Sequence, residues 1–354
     1  MSRKSLADKI LPERFQDELD RILNQYNGKV HSITKGIPRD CSPKTRLERR
    51  SNLRRCFAEL YELGFRLESP TSLKQKHAHA LACYWREKGL SAKTIHGLFS
   101  NLREFCRWIN KRGVVLDIYE YFKDDHELIA RKTAAQEDLS WESRGIDLNE
   151  IFSLAKEIDP RFELLLRLMR NFGLRVKEAI EFRPAVATAL DDEHLLVTHG
   201  TKGGKQRIVK IRNERQRQVL QDAKAMVHPH INSRIRWPDK TWKQAQAHFY
   251  HLMRRIAATK DLLDISAHGL RHAFLQEEYQ LYSGVPAPIK GSTDLPNHAE
   301  HQRAMLAVSM QAGHYRPSIS TSYCGSFGHG LRKATKSAVL PLHNHQLNEK
   351  DDAS

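Results

Sequence analysis

Four separated stretches carry polar groups that their local pattern does not call for. In NFGLRVKEAIEF (171–182), Arg175 and Glu178 stand three apart at a helix start and share a face. In TKGGKQR (201–207), Lys202 and Lys205 flank two glycines, a mobile tip able to swing an ammonium into a site. In ISAHGLRHAF (265–274), His268 and Arg271 share one helix face while Leu270 and Phe274 point to a core, and the arginine turns that face towards an anion. In QAGHYRPSISTSYCG (311–325), Gly313 and His314 precede Tyr323, which follows the histidine by nine residues, with Tyr279, Tyr282 and Tyr315 nearby. Taken singly, each stretch has an ordinary reading: a surface ion pair, a soluble turn, a capping histidine, packing tyrosines.

Charge points to what such groups would act on. Lysine and arginine number 58 against 42 acidic residues, a net charge of +16, and the excess is clustered. KTRLERRSNLRR (44–55) holds six cations and one anion, and REFCRWINKR (103–112) holds four and one. Clustered cations attract a phosphate backbone by releasing its condensed counterions, so a nucleic acid is the expected partner. Cys41, Cys56, Cys83, Cys106 and Cys324 are scattered without paired spacing, which suits reduced thiols rather than a disulfide framework or a zinc site. No apolar run is long enough to cross a bilayer and MSRKSLADKILPERF lacks a secretory core, so no membrane partner and a cytoplasmic location are expected.

At 354 residues the chain is long enough for two domains. Residues 1–43 read as an arm or accessory element with one helix at PERFQDELDRILNQY, whose Phe15, Leu19, Ile22 and Leu23 fall at helical spacing. Residues 44–123 read as a helical bundle. Leu53, Cys56, Phe57, Leu60 and Leu63 form one stripe, with Ser69 or Thr71 capping the next helix. Ser91 caps a third, with Ile95, Leu98, Phe99, Leu102, Phe105 and Ile109 buried and Gly113 as its stop. Its basic faces offer Arg49, Arg50, Arg54, Arg55, Lys93, Arg103, Arg107 and Lys111 to DNA. Residues 124–146 are polar without periodicity and read as a linker. Residues 147–330 form a mixed domain opened by the Asp147/Glu150 capping-box spacing, with an apolar helix ending at Gly173, a β-hairpin about Gly203–Gly204 and a long loop at 283–300. Residues 331–354 are a tail that contains the apolar segment KSAVLPLHN.

In order, GLRVKEA, the hairpin lysine of TKGGKQRIVKI, HGLRHAF, AGH and a tyrosine nine residues after that histidine resemble the tyrosine recombinase (phage integrase) family. GLSAKTIHGLFSNLREFCRWI looks like its core-binding domain, so the resemblance spans about 45 to 330. It implies a mainly α fold with a small β-hairpin (α+β): a SAM-like helical core-binding domain followed by a catalytic domain. It also implies a site-specific recombinase that acts on double-stranded DNA at specific recombination sites and passes through a 3′-phosphotyrosine and a Holliday junction. The enzyme would work as a homotetramer with neither metal nor other cofactor, with or without an accessory DNA-bending or directionality protein. On that resemblance Arg175, Arg271 and His314 hold the phosphate, and His268 assists with protons. Lys202 (or, with less support, Lys205) protonates the leaving 5′-hydroxyl, Glu178 orients its neighbours, and Tyr323 is the nucleophile. The interval between HGLRHAF and AGHYRP is longer than the family's usual one, which predicts an insertion.

Three competitors are weaker. A metal nuclease would draw on His298/His301 in HAEH, expected in a loop, or on His248/His251, but no third ligand accompanies either pair. A non-catalytic DNA-binding regulator explains the charge and not the six-residue set. A type IB topoisomerase shares the chemistry, but the helical domain looks more like a recombinase clamp.

Overall fold

The computed structural model describes residues 9–30 and 39–332, and the tail segment KSAVLPLHN lies outside them. The chain forms two compact units, residues 1–131 and 132–354, and the division falls inside the expected linker. No helix among the described residues is long and apolar enough to cross a membrane.

The first unit is helical: α1 (Glu13–Tyr26), α2 (Pro43–Glu62), α3 (Gln75–Glu87), α4 (Ala92–Trp108), and the short α5 (Ile118–Tyr121) and α6 (His126–Ile129). A two-residue ladder, β1 (Lys29–Val30) with β2 (Arg39–Asp40), joins α1 to α2. Ser42 and Ser91 cap α2 and α4 by accepting from the Thr45 and Thr94 amides. Ser69 caps only the turn Pro70–Ser72, ahead of α3. Leu63, expected in the α2 stripe, lies beyond the helix end and is exposed.

Helix α1 is part of this unit's core. Phe15, Leu19 and Leu23 are fully buried, and Phe15 packs edge-on against Phe57 of α2 at 5.2 Å. Burying each such side chain contributes roughly 1.5–3 kcal/mol. The accompanying ion pairs of Asp20 with Arg50 (3.0 Å) and Arg54 (2.7 Å) are partly exposed and contribute about 0–1 kcal/mol each. The apolar stripe therefore docks α1, and the ion pairs fix its register.

The second unit contains α7 (Leu148–Ile158), α8 (Pro160–Phe172), α9 (Val176–Ile180), α10 (Pro184–Ala187), α11 (Glu214–Ala225), α12 (Trp242–Arg255), α13 (Ala267–Ser283), α14 (His298–Gln311) and α15 (Pro317–Cys324). Asp147 caps α7 by accepting from the Asn149 and Glu150 amides. Helix α8 is buried on nearly every face, packed by α7, α11 and α13. The antiparallel hairpin of β3 (His194–Val197) and β4 (Arg207–Lys210) pairs Leu195 with Val209 and Val197 with Arg207, and these four side chains face inward.

Two expectations are corrected here. Residues 132–146 are not a featureless linker: Ser140 and Trp141 are fully buried, and the Trp141 indole donates to the Ser266 carbonyl at 2.7 Å. The signal is missing from the sequence because these contacts are long-range and non-periodic. HAEH is not in a loop: Asn297 and Glu300 form a capping box that starts α14 at His298.

Candidate active site

Arg175 precedes α9, just after the helix-ending Gly173. Gly173 has φ 57°, and a Cβ there would collide with the Phe274 ring, so the turn requires glycine. Glu178, one turn on, is buried and serves as the hub. It accepts from the Arg175 amide (2.8 Å), from Arg175 Nη1 (2.6 Å), and from both Arg207 terminal nitrogens (2.9 and 2.7 Å). Burial raises its pKa, but the Arg207 fork and the charges of Arg207, Arg271 and Arg175 outweigh burial and hold it at about 2.

Arg207 was not singled out from the sequence. The period-two alternation of RIVK places it on the inward face with Val209, and an arginine at a core-facing strand position is the signal that identifies it.

Arg271 does not look out from α13 as its spacing suggests. It is fully buried, with Nη1 donating to the Gly173 carbonyl and Nη2 to the Ala312 carbonyl at 2.7 Å. Desolvation lowers its pKa to about 10, which leaves it charged at neutral pH. Arg175 Nη2 reaches the same Ala312 oxygen at 3.0 Å, so two guanidinium groups converge on one acceptor. Arg175 Nη2 also lies 3.3 Å from His314 Nε2. A guanidinium only donates, so this ring nitrogen is the acceptor. It stands 3.4 Å from the Tyr323 hydroxyl. Burial, followed by the charges of Arg175 and Arg271, lowers the His314 pKa to about 4, so the ring is neutral at neutral pH.

Tyr323 is buried near the end of α15, which starts at Pro317 and stops at Gly325. Its ring lies over Arg271 at 5.6 Å, with the rings of His272 and His268 at 4.9 and 5.8 Å. Desolvation and the neighbouring His272 and Arg271 lower the pKa of His268, which keeps an exposed edge. His272, which the family motif leaves without a role, is buried against the tyrosine. Lys202 and Lys205 are exposed at the hairpin tip. Lys205 lies over the Tyr315 ring at 5.7 Å, whereas Lys202 is close enough to depress the His314 pKa.

The arrangement combines a neutral imidazole acceptor beside a phenol with two convergent forks and a third arginine neutralised by Glu178. It suits charge stabilisation at a phosphate attacked by a tyrosine. Among the described residues no group of three or more His, Cys, Asp or Glu is placed to hold a metal. His301 is instead bonded to the Tyr279 hydroxyl at 2.7 Å.

In the first unit the eight cations expected at DNA are distributed unevenly. Arg49, Arg103 and Arg107 line one pocket of 130 Å³ with Ser100, Asn101 and Glu104, in which Arg107 pairs with Glu104 at 2.7 Å, Arg49 donates to Asn27 and Arg103 to the Leu116 carbonyl. Arg50 and Arg54 turn to Asp20 on α1, and Arg55 to Glu59 at 2.8 Å. Lys93 is exposed, and Lys111 lies 3.5 Å from the Leu73 carbonyl.

Residues 134–277 match the family profile described as Integrase, and residues 17–115 match that described as Phage integrase, N-terminal. The tyrosine recombinase XerD of Ralstonia nicotianae is 25% identical over 252 residues, covering 58% of this chain and 80% of that protein. The fold is similar to that of the Tn1549 transposon integrase (residues 82–397) in complex with circular intermediate DNA, with a TM-score of 0.55 at 16% identity, covering 90% of this chain and 99% of that one. It is also similar to a lambda integrase dimer bound to a COC′ core site, with a TM-score of 0.53 at 16% identity, covering 87% and 76%. The chain belongs to the tyrosine recombinase (phage integrase) family and is a DNA recombinase.

Proposed function

We propose that this chain is the integrase of a bacterial mobile element, working as a homotetramer on two DNA duplexes. The phosphate enters beside the Tyr323 hydroxyl and takes the place of the Ala312 carbonyl between Arg175 and Arg271. A tyrosine with a reference pKa of about 10 is a weak nucleophile at neutral pH and needs both a base and a positive field. His268 takes the phenol proton as the Tyr323 oxygen attacks phosphorus. The bond to the 5′-oxygen breaks, Lys202 protonates the departing oxygen, and a 3′-phosphotyrosine remains. The partner duplex's 5′-hydroxyl reverses the step, and one round of strand exchange leaves a Holliday junction. Once the phosphate draws off the Arg175 fork, neutral His314 carries its proton on Nε2 and donates it in a hydrogen bond to a phosphate oxygen, and Glu178 with Arg207 aligns Arg175. In the first unit the pocket of Arg49, Arg103 and Arg107 grips the backbone.

The observation that carries this reading is the convergence of Arg175 and Arg271 on one oxygen beside Tyr323 and His314. On a nicked suicide substrate bearing its own site, the wild-type protein is expected to form a covalent protein–DNA adduct in EDTA. Full inhibition by EDTA, or no adduct, would contradict the reading. Exchange of markers between two duplexes separates recombination from DNA relaxation.

Lys202→Ala is expected to slow cleavage about 10²-fold or more, as for loss of a general acid. Replacing the bridging 5′-oxygen with sulfur removes the defect, because a thiolate leaves without a proton. Lys205→Ala stays within a few-fold of wild type. The opposite pattern in the two variants would transfer the role to Lys205.

A further inference from the structure

The segment Ala135–Trp141 is a strap over both helices that carry the reacting groups. At α13, Trp141 bonds the Ser266 carbonyl. A Cβ on Gly269 would lie 2.7 Å from Trp141 Cδ1 and collide with the Leu139 carbonyl, so the strap presses on the turn holding His268 and Arg271. At α15, the Ala135 amide donates to the Thr321 carbonyl at 2.9 Å.

Between these anchors lies Asp138. One carboxylate oxygen accepts from the Ser140 amide (2.9 Å) and from Gln276 Nε2 (2.8 Å), and the same Gln276 nitrogen reaches the Tyr323 carbonyl at 3.2 Å. The other oxygen pairs with Lys290 at 3.0 Å. Lys290 belongs to the Gly/Pro-rich loop between α13 and α14, the region of the expected insertion. Its neighbour Ile289 packs on Gly325, where a Cβ would stand 3.1 Å from the Ile289 nitrogen. Burial disfavours the Asp138 charge, but the Ser140 amide, Gln276 and Lys290 outweigh it and lower its pKa. Gln276 Oε1 has no hydrogen-bond partner, so the amide is oriented by its nitrogen alone.

We infer that Asp138, clamped by Lys290 from the loop between α13 and α14, is a positioning residue that sets Tyr323 for attack through Gln276. The inference rests on the recombinase reading above. The Asp138–Lys290 pair is partly exposed and contributes little to folding stability. In-line attack, however, is sensitive to displacements of an ångström or less, so the pair acts mainly on rate.

The test uses the full-length protein and the suicide substrate, with Asp138→Asn, Lys290→Met, the double variant and Lys290→Arg. Each single variant is expected to lower the cleavage rate constant at saturating DNA about tenfold, with the Kd for DNA within twofold of wild type. The double variant is expected to be no slower than the slower single one, and Lys290→Arg to regain most of the rate. Lys290→Met leaves the strap intact, so the result does not hinge on whether Asp138→Asn folds. Wild-type rates in both single variants, a matching loss of DNA affinity, or multiplying defects in the double variant would overturn the inference. If the wild-type protein itself forms no adduct, the recombinase reading fails first, and the inference with it.

Discussion

Arg271→Ala lowers the DNA cleavage rate by about 10³-fold or more while DNA affinity stays close to wild type. Arg271 is fully buried under the Tyr323 ring, and its fork bridges the Gly173 and Ala312 carbonyls. Removing one preorganised donor from a developing oxyanion costs about 10²–10³ in rate, and here a full charge beside the phosphate is lost with it. Arg271→Lys does not rescue, because one ammonium cannot hold the Gly173 carbonyl and a phosphate oxygen as the two arms of the fork do. DNA affinity is spread over many backbone contacts and hardly registers this residue. Single-turnover cleavage beside a filter-binding titration separates the two quantities. A loss below tenfold would remove Arg271 from the chemistry.

Glu178→Gln destabilises the second unit by about 3–5 kcal/mol, the cost of leaving a buried ion pair half made. Glu178 is buried among Arg175, Arg207 and Arg271, and the substitution leaves all three without a counter-charge. Its pKa is depressed to about 2 by the folded surroundings. A depressed carboxylate stabilises the fold fully above its unfolded value of about 4.3, and that stability is lost as pH falls towards 2. On this basis the wild-type protein loses on the order of 3 kcal/mol from this residue across that window, and the Gln variant does not. Urea unfolding at several pH values checks both parts. Equal acid sensitivity in the two proteins would show that Glu178 is not the hub. Arg207→Ala is expected to share most of the defect, since the pair acts as a unit.

The polar chemistry was largely legible because it is carried by short local spacings. Arg175 and Glu178 share a helix start, His268 and Arg271 share a helix turn, His314 stands just ahead of the short α15 and Tyr323 near its far end, and the structure brings all six together. The hairpin and the helix ending at Gly173 were legible for the same reason. What was missed depends on contacts distant in sequence. The direction of Arg207 follows from its strand register, but its partner Glu178 lies 29 residues away. The strap of residues 135–141 has no period at all and is held by bonds such as Ala135 to Thr321 and Trp141 to Ser266. Arg50 and Arg54 read as a cationic helix face. The structure turns them to Asp20, because the buried stripe of α1 docks there and its acid comes with it. Arg271 looked surface-facing because a helical wheel cannot show the Gly173 and Ala312 carbonyls that receive its fork.

The central claim is that one particular phenol attacks the DNA. Tyr279, Tyr282, Tyr315 and Tyr323 all lie within the last third of the described residues, and only Tyr323 has its hydroxyl beside His314 and its ring over Arg271. Trapping the adduct on a suicide substrate, digesting both components and locating the nucleotide-bearing peptide by mass spectrometry tests this most directly. The phosphonucleotide is expected on the peptide containing Tyr323, and Tyr323→Phe is expected to give no adduct. A nucleotide on any other residue, or an adduct that survives in Tyr323→Phe, would contradict the account.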